Sequence, residues 1–383
     1  MTATTATKNP APNSAGLEGV IACESAICTV DGQAGVLTYM GYDIHDLADH
    51  ATFEEVVYLL WHDALPTRTE LDALTAEVAA ARALPEPVLT ILRALPQGAV
   101  PMQVLRTAVS ALGLYDEDNG DMSEAANRRK AARLLGRVPT AVAAFDRLRK
   151  GQEPVAPTDH PSVAFDFLTQ MHGKRPTETQ CKALDIAFIL QAEHELNAST
   201  FAARVTAATL ADFYGAFTAA VAALAGPLHG GANEDSINVV AQMGSPEEAV
   251  EYIRGELAAK HKVPGFGHRV YKSEDPRATH LREMAGQVLE EQGQGNTFRV
   301  MRAMEETMLS AKNIHSNVDF YSGTVYSSLG LTPDMFTPAF AIARTSGWAA
   351  HILEQYAHNR IMRPRADYIG KRDLHYVPLD QRG

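Results

Sequence analysis

The run from Asp212 to Leu224 reads DFYGAFTAAVAAL and offers water almost no polar face. Wound at 3.6 residues per turn, its apolar side chains surround the helix axis. A helix of this kind belongs at the centre of a protein, ringed by other helices, and its alanines let those helices come close. The chain has 383 residues, 46% of them hydrophobic, which is enough to build that casing. The length suits one large domain or two moderate ones.

The rest of the chain supplies helices in number. Four sites carry the capping-box pattern: Thr52 with Glu55, Thr67 with Glu70, Thr177 with Gln180, and Ser245 with Glu248. Each opens a segment with apolar residues at helical spacing, such as Val56, Leu59 and Leu60. Pro246 follows the last box at the first helical position, where its missing N–H is no loss. Further periodic segments run over 86–95, 102–114, 123–149, 162–172, 177–194, 198–209, 212–225, 246–260, 276–291, 295–311 and 334–358. Strand signals are confined to ICTVDGQAGVLTY, where Asp31-Gly32 stands between β-prone runs as a hairpin turn. A second extended piece is expected near His375 to Val377. The expected fold class is all-α with a small N-terminal β-hairpin.

Several functions are disfavoured. The formal charge is -12, with 46 acidic against 34 basic residues, the wrong balance for general nucleic-acid binding. Cys23, Cys28 and Cys181 are odd in number and lack a C-x-x-C spacing, so a reducing cytoplasm is expected rather than a disulfide framework. No apolar run reaches membrane-spanning length. The first fifteen residues lack a secretory apolar core and are expected to form a disordered tail. DEDNGD, from Asp116 to Asp121, has its glycine one place early for a calcium loop and no following ligand glutamate, so it reads as a solvated turn. Gly265 and Gly267 begin a dinucleotide fingerprint, but Val270 stands where the third glycine belongs and no strand precedes it. His194 has no second histidine four residues away, and no metal constellation is expected.

Two histidines sit in glycine-rich turns: His229 in GPLHGG and His268 in VPGFGHRVY. Such turns let backbone approach a ligand closely. Each histidine also has a plain alternative as a helix-end residue. Asp319, in NVDFYSG, adds a carboxylate on a third segment. Two histidines and a carboxylate on separate segments suit proton transfer next to a carbonyl, which needs a base and two acids. Arg277 follows Asp275-Pro276 in the first turn of a helix, where a cation is unfavourable unless an anion compensates. An anionic ligand answers that need, as does pairing with Glu274 or Asp275 at the surface. Arg344 lies in an apolar helix and requires a partner. Arg363 follows that helix, and with Arg277 and Arg344 it would suit a dicarboxylate.

GPLHGGANE, VPGFGHRVYKSEDPRA and NVDFYSG, in this order and spacing, resemble the signature segments of citrate synthases and the similar 2-methylcitrate synthases. GLEGV…DGQAGVLTYMGYDI and RPRADYIG resemble the family's ends, so the likeness runs from Gly16 to the C-terminus. The resemblance implies a mostly helical homodimer, with a large domain over 16–229 and 325–383 and a small domain over 230–324 that closes on the substrates. It implies that acetyl-CoA, oxaloacetate and water give citrate and CoA, with propionyl-CoA as the alternative substrate in a 2-methylcitrate synthase. His229, His268 and Asp319 would be catalytic. His194, Arg277, Arg344 and Arg363 would bind oxaloacetate, the last from the partner subunit. Coenzyme A, a co-substrate rather than a resident cofactor, would lie along Val263, Pro264, Gly265, Phe266 and Gly267. Its phosphates would meet Lys262, Arg269, Lys272 or Lys312. The short segment before Gly16 favours the dimeric type without nicotinamide-nucleotide control.

Overall fold

The computed structural model describes residues 15–17, 19–230, 232–268 and 270–382. The expected tail, residue 15 apart, and Arg269 lie outside them. The chain opens on a three-stranded antiparallel sheet: β1 (Cys28–Asp31), β2 (Val36–Tyr39) and β3 (Tyr42–Asp43). Asp31 pairs with Val36 across the turn and Cys28 with Tyr39 at the base.

Helices make up most of the rest. The first ten are α1 (Ile44–His50), α2 (Phe53–His62), α3 (Arg68–Ala81), α4 (Glu86–Ala94), α5 (Pro101–Leu114), α6 (Glu124–Arg149), α7 (Val163–His172), α8 (Glu178–Gln191), α9 (Ala198–Ala207) and α10 (Phe213–Leu224). They are followed by α11 (Ala232–Val240), α12 (Pro246–Ala259), α13 (Pro276–Glu291), α14 (Gly295–Lys312), α15 (Val318–Ser328) and α16 (Phe336–Ala357). The boxes at Thr52, Thr67 and Thr177 are complete, each threonine and its partner satisfying both exposed N–H groups. At Ser245 the box is half made: Ser245 accepts from the Glu248 N–H, but Glu248 reaches back to the Gly244 N–H instead.

One continuous core runs from Ile27 in the sheet to Ile352 in α16. The central helix α10 packs on α5, α9 and α16, with Phe217 edge-on to Trp348 at 5.1 Å. Its full burial is not reached within one chain. Gly215, Thr218, Ala219, Ala222 and Ala223, one flank at helical spacing, keep partial accessibility. The expected extended piece at 375–377 is exposed and pairs with no strand among the described residues; its contacts are to Arg382, which donates to Val377 O at 2.8 Å and lies over the Tyr376 ring.

The Asp116–Asp121 loop is an ion-binding geometry already filled. Lys130 is buried, and its ammonium donates to Asn119 O at 3.3 Å, Asp121 O at 2.5 Å and Asn127 Oδ1 at 3.1 Å. Arg129 and Arg133 pair with Asp118, and Arg133 with Asp116. The acidic run is thus a turn neutralised by side chains of α6.

Candidate active site

His229 occupies the turn after α10, where Gly226 O accepts its N–H at 2.9 Å. Its ring does not cap α10. Nε2 faces the start of α9, 3.3 Å from the Ser199 N–H and 2.9 Å from Ser199 Oγ. A backbone N–H can only donate, so Nε2 is the acceptor and the ring proton resides on Nδ1. Trp348 Nε1 holds Ser199 Oγ at 3.1 Å, and Asn197 caps α9. Burial, with Arg344 adding to it, lowers the His229 pKa to about 4. The ring is neutral at pH 7 and carries one N–H to offer.

His268 has the opposite tautomer by the same reasoning. Its Nδ1 accepts from the N–H groups of Val270 at 3.0 Å and Tyr271 at 3.1 Å, which leaves the proton on Nε2. Burial and then Arg277 lower its pKa to about 4. His194 lies beside it, ring centroids 5.6 Å apart, with Nε2 3.2 Å from the Tyr271 hydroxyl. The expected helix over 177–194 ends at Gln191, so His194 sits in the loop before α9. Burial, followed by Arg277 and Arg344, holds its pKa well below the usual value.

Asp319 stands in the first turn of α15. The loop carrying His268 is stitched to the segment leading into this helix. Gly267 N–H donates to His315 O at 2.9 Å, Asn317 N–H to Gly265 O at 2.9 Å, and Asn317 Nδ2 to Gly267 O at 2.8 Å. Asn317 also caps α15 by accepting from the Asp319 N–H at 3.0 Å. One residue thereby ties the His268 loop to the Asp319 backbone. Gly265 has φ of 81°, and a Cβ there would come within 2.7 Å of Ser236 Oγ and 2.8 Å of the Phe320 ring. Only glycine fits so close an approach in that conformation. Burial raises the Asp319 pKa to about 6, with Arg277 opposing.

Of the three arginines expected at a dicarboxylate, Arg277 and Arg344 are buried. Arg277 pairs with Asp275, Nε to Oδ1 at 2.9 Å and Nη2 to Oδ2 at 2.8 Å. The plain alternative of an Asp275 partner is therefore realised, although inside the protein and not at its surface. Asp275 is also the N-cap of α13 and accepts the Val318 N–H at 3.3 Å, which joins Arg277 to the start of α15. Arg344 donates Nε to Gln191 O at 2.8 Å and stacks over Phe340 at 4.7 Å. No carboxylate lies within ion-pair distance of it among the described residues, and burial lowers its pKa. Arg277 and Arg344 feel each other, and their fields reach His194, His229, His268 and Asp319.

Arg363 is not brought to this cluster. It is exposed and lines a surface groove of about 980 Å³ with Leu17, Ile21 and Arg204. Lys262, Lys272 and Lys312 are exposed around the glycine loop. Sequence reading passed over Ser199, which orients His229, and Asn317, which joins the His268 loop to the Asp319 helix. Each is a helix cap or first-turn residue, and N-A-S-T and S-N-V-D are cap patterns that mark them.

The chain matches the family described as citrate synthase, C-terminal domain, over residues 16–365. It is 48% identical to citrate synthase 2 of Bacillus subtilis across 96% of this chain and 98% of that protein. The citrate synthase structure from Pyrobaculum aerophilum superposes with a TM-score of 0.91 at 39% identity, covering 100% of this chain and 99% of that one. The citrate synthase of Thermoplasma acidophilum, solved as a ternary complex with carboxymethyl coenzyme A and oxaloacetate, gives 0.90 at 33% identity over 97% and 99%. With this agreement over nearly its whole length, the chain belongs to the citrate synthase family and is an enzyme of that type.

Proposed function

We propose that His229, His268 and Asp319 condense acetyl-CoA with oxaloacetate, and that water then releases citrate and CoA. The carrying observation is a buried carboxylate with a pKa near 6 and two neutral histidines whose tautomers are fixed by backbone donors, each of the three reached by the field of Arg277 or Arg344. Asp319 takes a proton from the thioester methyl, and the C–H electron pair moves into the carbonyl. The Nδ1–H of His229 bonds the thioester oxygen as charge develops there, giving an enol or enolate. The new carbon nucleophile attacks the ketone of oxaloacetate, and the Nε2–H of His268 bonds or protonates the resulting alkoxide. Water hydrolyses the citryl thioester, and CoA leaves as the thiol.

Oxaloacetate is held by His194, Arg277 and Arg344. Asp275 occupies Nε and Nη2 of Arg277, leaving Nη1 for a substrate carboxylate. Gln191 takes Nε of Arg344, and among the described residues no hydrogen bond engages its two terminal nitrogens, which suits a bidentate carboxylate. Arg363 completes the site from a partner subunit. The partly accessible flank of α10 supports a second copy packing there, since the helix has no polar face to show to water. Coenzyme A lies along Val263 to Gly267, with Lys262, Arg269, Lys272 and Lys312 as candidates for its phosphates. Residues 230–324 close over both substrates and keep water out until condensation has occurred.

The test is CoA thiol release by the purified protein. Release from acetyl-CoA that depends on oxaloacetate is expected, and none would leave a helical scaffold without catalysis. Running propionyl-CoA in parallel ranks the acyl groups by kcat/KM; one methyl in a pocket is worth about 1–3 kcal/mol. A higher value for propionyl-CoA would make 2-methylcitrate the product.

A further inference from the structure

The β1–β2 ribbon looks peripheral, yet each of its ends meets a loop of the site. At the base, Cys28 pairs with Tyr39, and the Met40 N–H closes the ribbon on Ile27 O at 2.8 Å. Tyr39 is wholly buried. Its hydroxyl accepts the Glu193 N–H at 3.3 Å and donates to Glu193 O at 2.9 Å, with Ile189 O 3.1 Å away. These groups end α8 and begin the loop that carries His194.

The tip meets the other loop. The Lys272 N–H donates to Gly32 O at 2.7 Å. Gly32 approaches Val270 so closely that an added Cβ would overlap the Val270 carbonyl. Gly35 has φ of 71°, and a Cβ there would meet Ser273 Oγ at 2.6 Å and Glu274 O at 3.1 Å. The contacted residues lie between His268 and the Asp275–Arg277 pair. Each strand has four residues, so the ribbon spans ~13 Å from one loop to the other. A hairpin that merely covered the core would need neither a backbone bond at its tip nor glycines that admit no Cβ.

We propose that the β1–β2 ribbon is a strut that sets the separation of the His194 loop and the His268–Arg277 loop, with Tyr39 and Gly32 as positioning residues for oxaloacetate. This rests on the reading above that those loops bind oxaloacetate. The strut acts on geometry alone: lengthening the tip contact moves His268 and Arg277 away from His194. A displacement near 1 Å lowers catalysis by about 100-fold.

Gly32→Ala tests it, because the conformation at Gly32 is open to alanine and only the space is not. The expected result is a fall of about 100-fold in kcat/KM for oxaloacetate, faster hydrogen exchange at the Lys272 amide, and little change in thermal midpoint. Gln33→Ala, an exposed neighbour in the same turn, should leave both readings at wild-type values. Activity within about twofold of wild type, or an unchanged Lys272 amide, overturns the strut. If Gly32→Ala does not fold, Tyr39→Phe decides: KM for oxaloacetate should rise while KM for acetyl-CoA stays, and an unchanged oxaloacetate KM overturns the proposal. Wild-type protein that releases no CoA would sink the catalytic reading instead. The exchange measurement would then still decide whether the ribbon holds the 270–274 loop.

Discussion

Asp319 lies where opposed influences meet. The N-terminus of α15 and the Arg277 guanidinium favour its charged form, while burial and the Asp275 carboxylate oppose it and win. A base near pKa 6 is charged at neutral pH, yet it is a stronger base than a solvated aspartate. The kcat/KM profile should therefore fall on the acid side with a midpoint near 6 and a slope of one. His229 and His268, both near 4, stay neutral through that range and add no second limb. A raised carboxyl pKa also penalises the folded state. The penalty is complete above about 6 and gone below about 4, the unfolded value. Asp319→Asn should stabilise the fold at pH 8, by at most about 3 kcal/mol at 1.36 kcal/mol per unit and by less so far as water reaches the side chain, and so raise the thermal midpoint there. The gain should vanish at pH 4; an equal gain at both pH values would contradict the burial of the charge.

At the scale of elements, the site depends on how loops are tied to helix starts. Asn317 holds the His268 loop with its Nδ2 and caps the Asp319 helix with its Oδ1. Asn317→Ala should lower kcat about 10- to 100-fold, while the lost cap lowers stability by only ~1 kcal/mol. A loss in thermal midpoint without a loss in kcat would reduce Asn317 to an ordinary cap. Caps were also the most legible part of the fold, because the signal is local: three capping boxes formed as read, and the segments over 276–291 and 295–311 match α13 and α14 to within a residue. What escaped was α1, α11 and α15. In α15 almost every residue is buried, with no polar face to set a period, so VDFYSGTVYSS reads as a loop motif rather than a helix. The Gly32 contact with Lys272 escaped for another reason: it joins residues 240 apart, and no local pattern records it.

Across the whole molecule, the residues proposed for catalysis and oxaloacetate binding come together within one chain, except Arg363. His194, His229, His268, Asp319, Arg277 and Arg344 come from six places in the sequence and share one electrostatic field. Their convergence was legible only through the order and spacing of three motifs; the residue types alone left each histidine open to a structural reading. Arg363 lies past α16 in an exposed segment that also shows Ile361, Tyr368, Ile369 and Tyr376 to water. Supply of Arg363 by a second subunit has a direct consequence. Subunits carrying Arg363→Ala and subunits carrying Asp319→Ala should each be inactive alone. Mixed and allowed to exchange, they should recover about a quarter of the sites, since half the dimers are mixed and one site in each is intact. No recovery in a mixture shown to contain mixed dimers would mean that each chain uses its own Arg363.

The central claim is that Asp319 is the base that starts the condensation, held in a site that binds oxaloacetate without it. Asp319→Ala should be compared with wild type for CoA release at saturating substrates, with oxaloacetate affinity measured by calorimetry on the same samples. Turnover should be nearly abolished while oxaloacetate still binds; near-normal turnover would remove Asp319 from the chemistry.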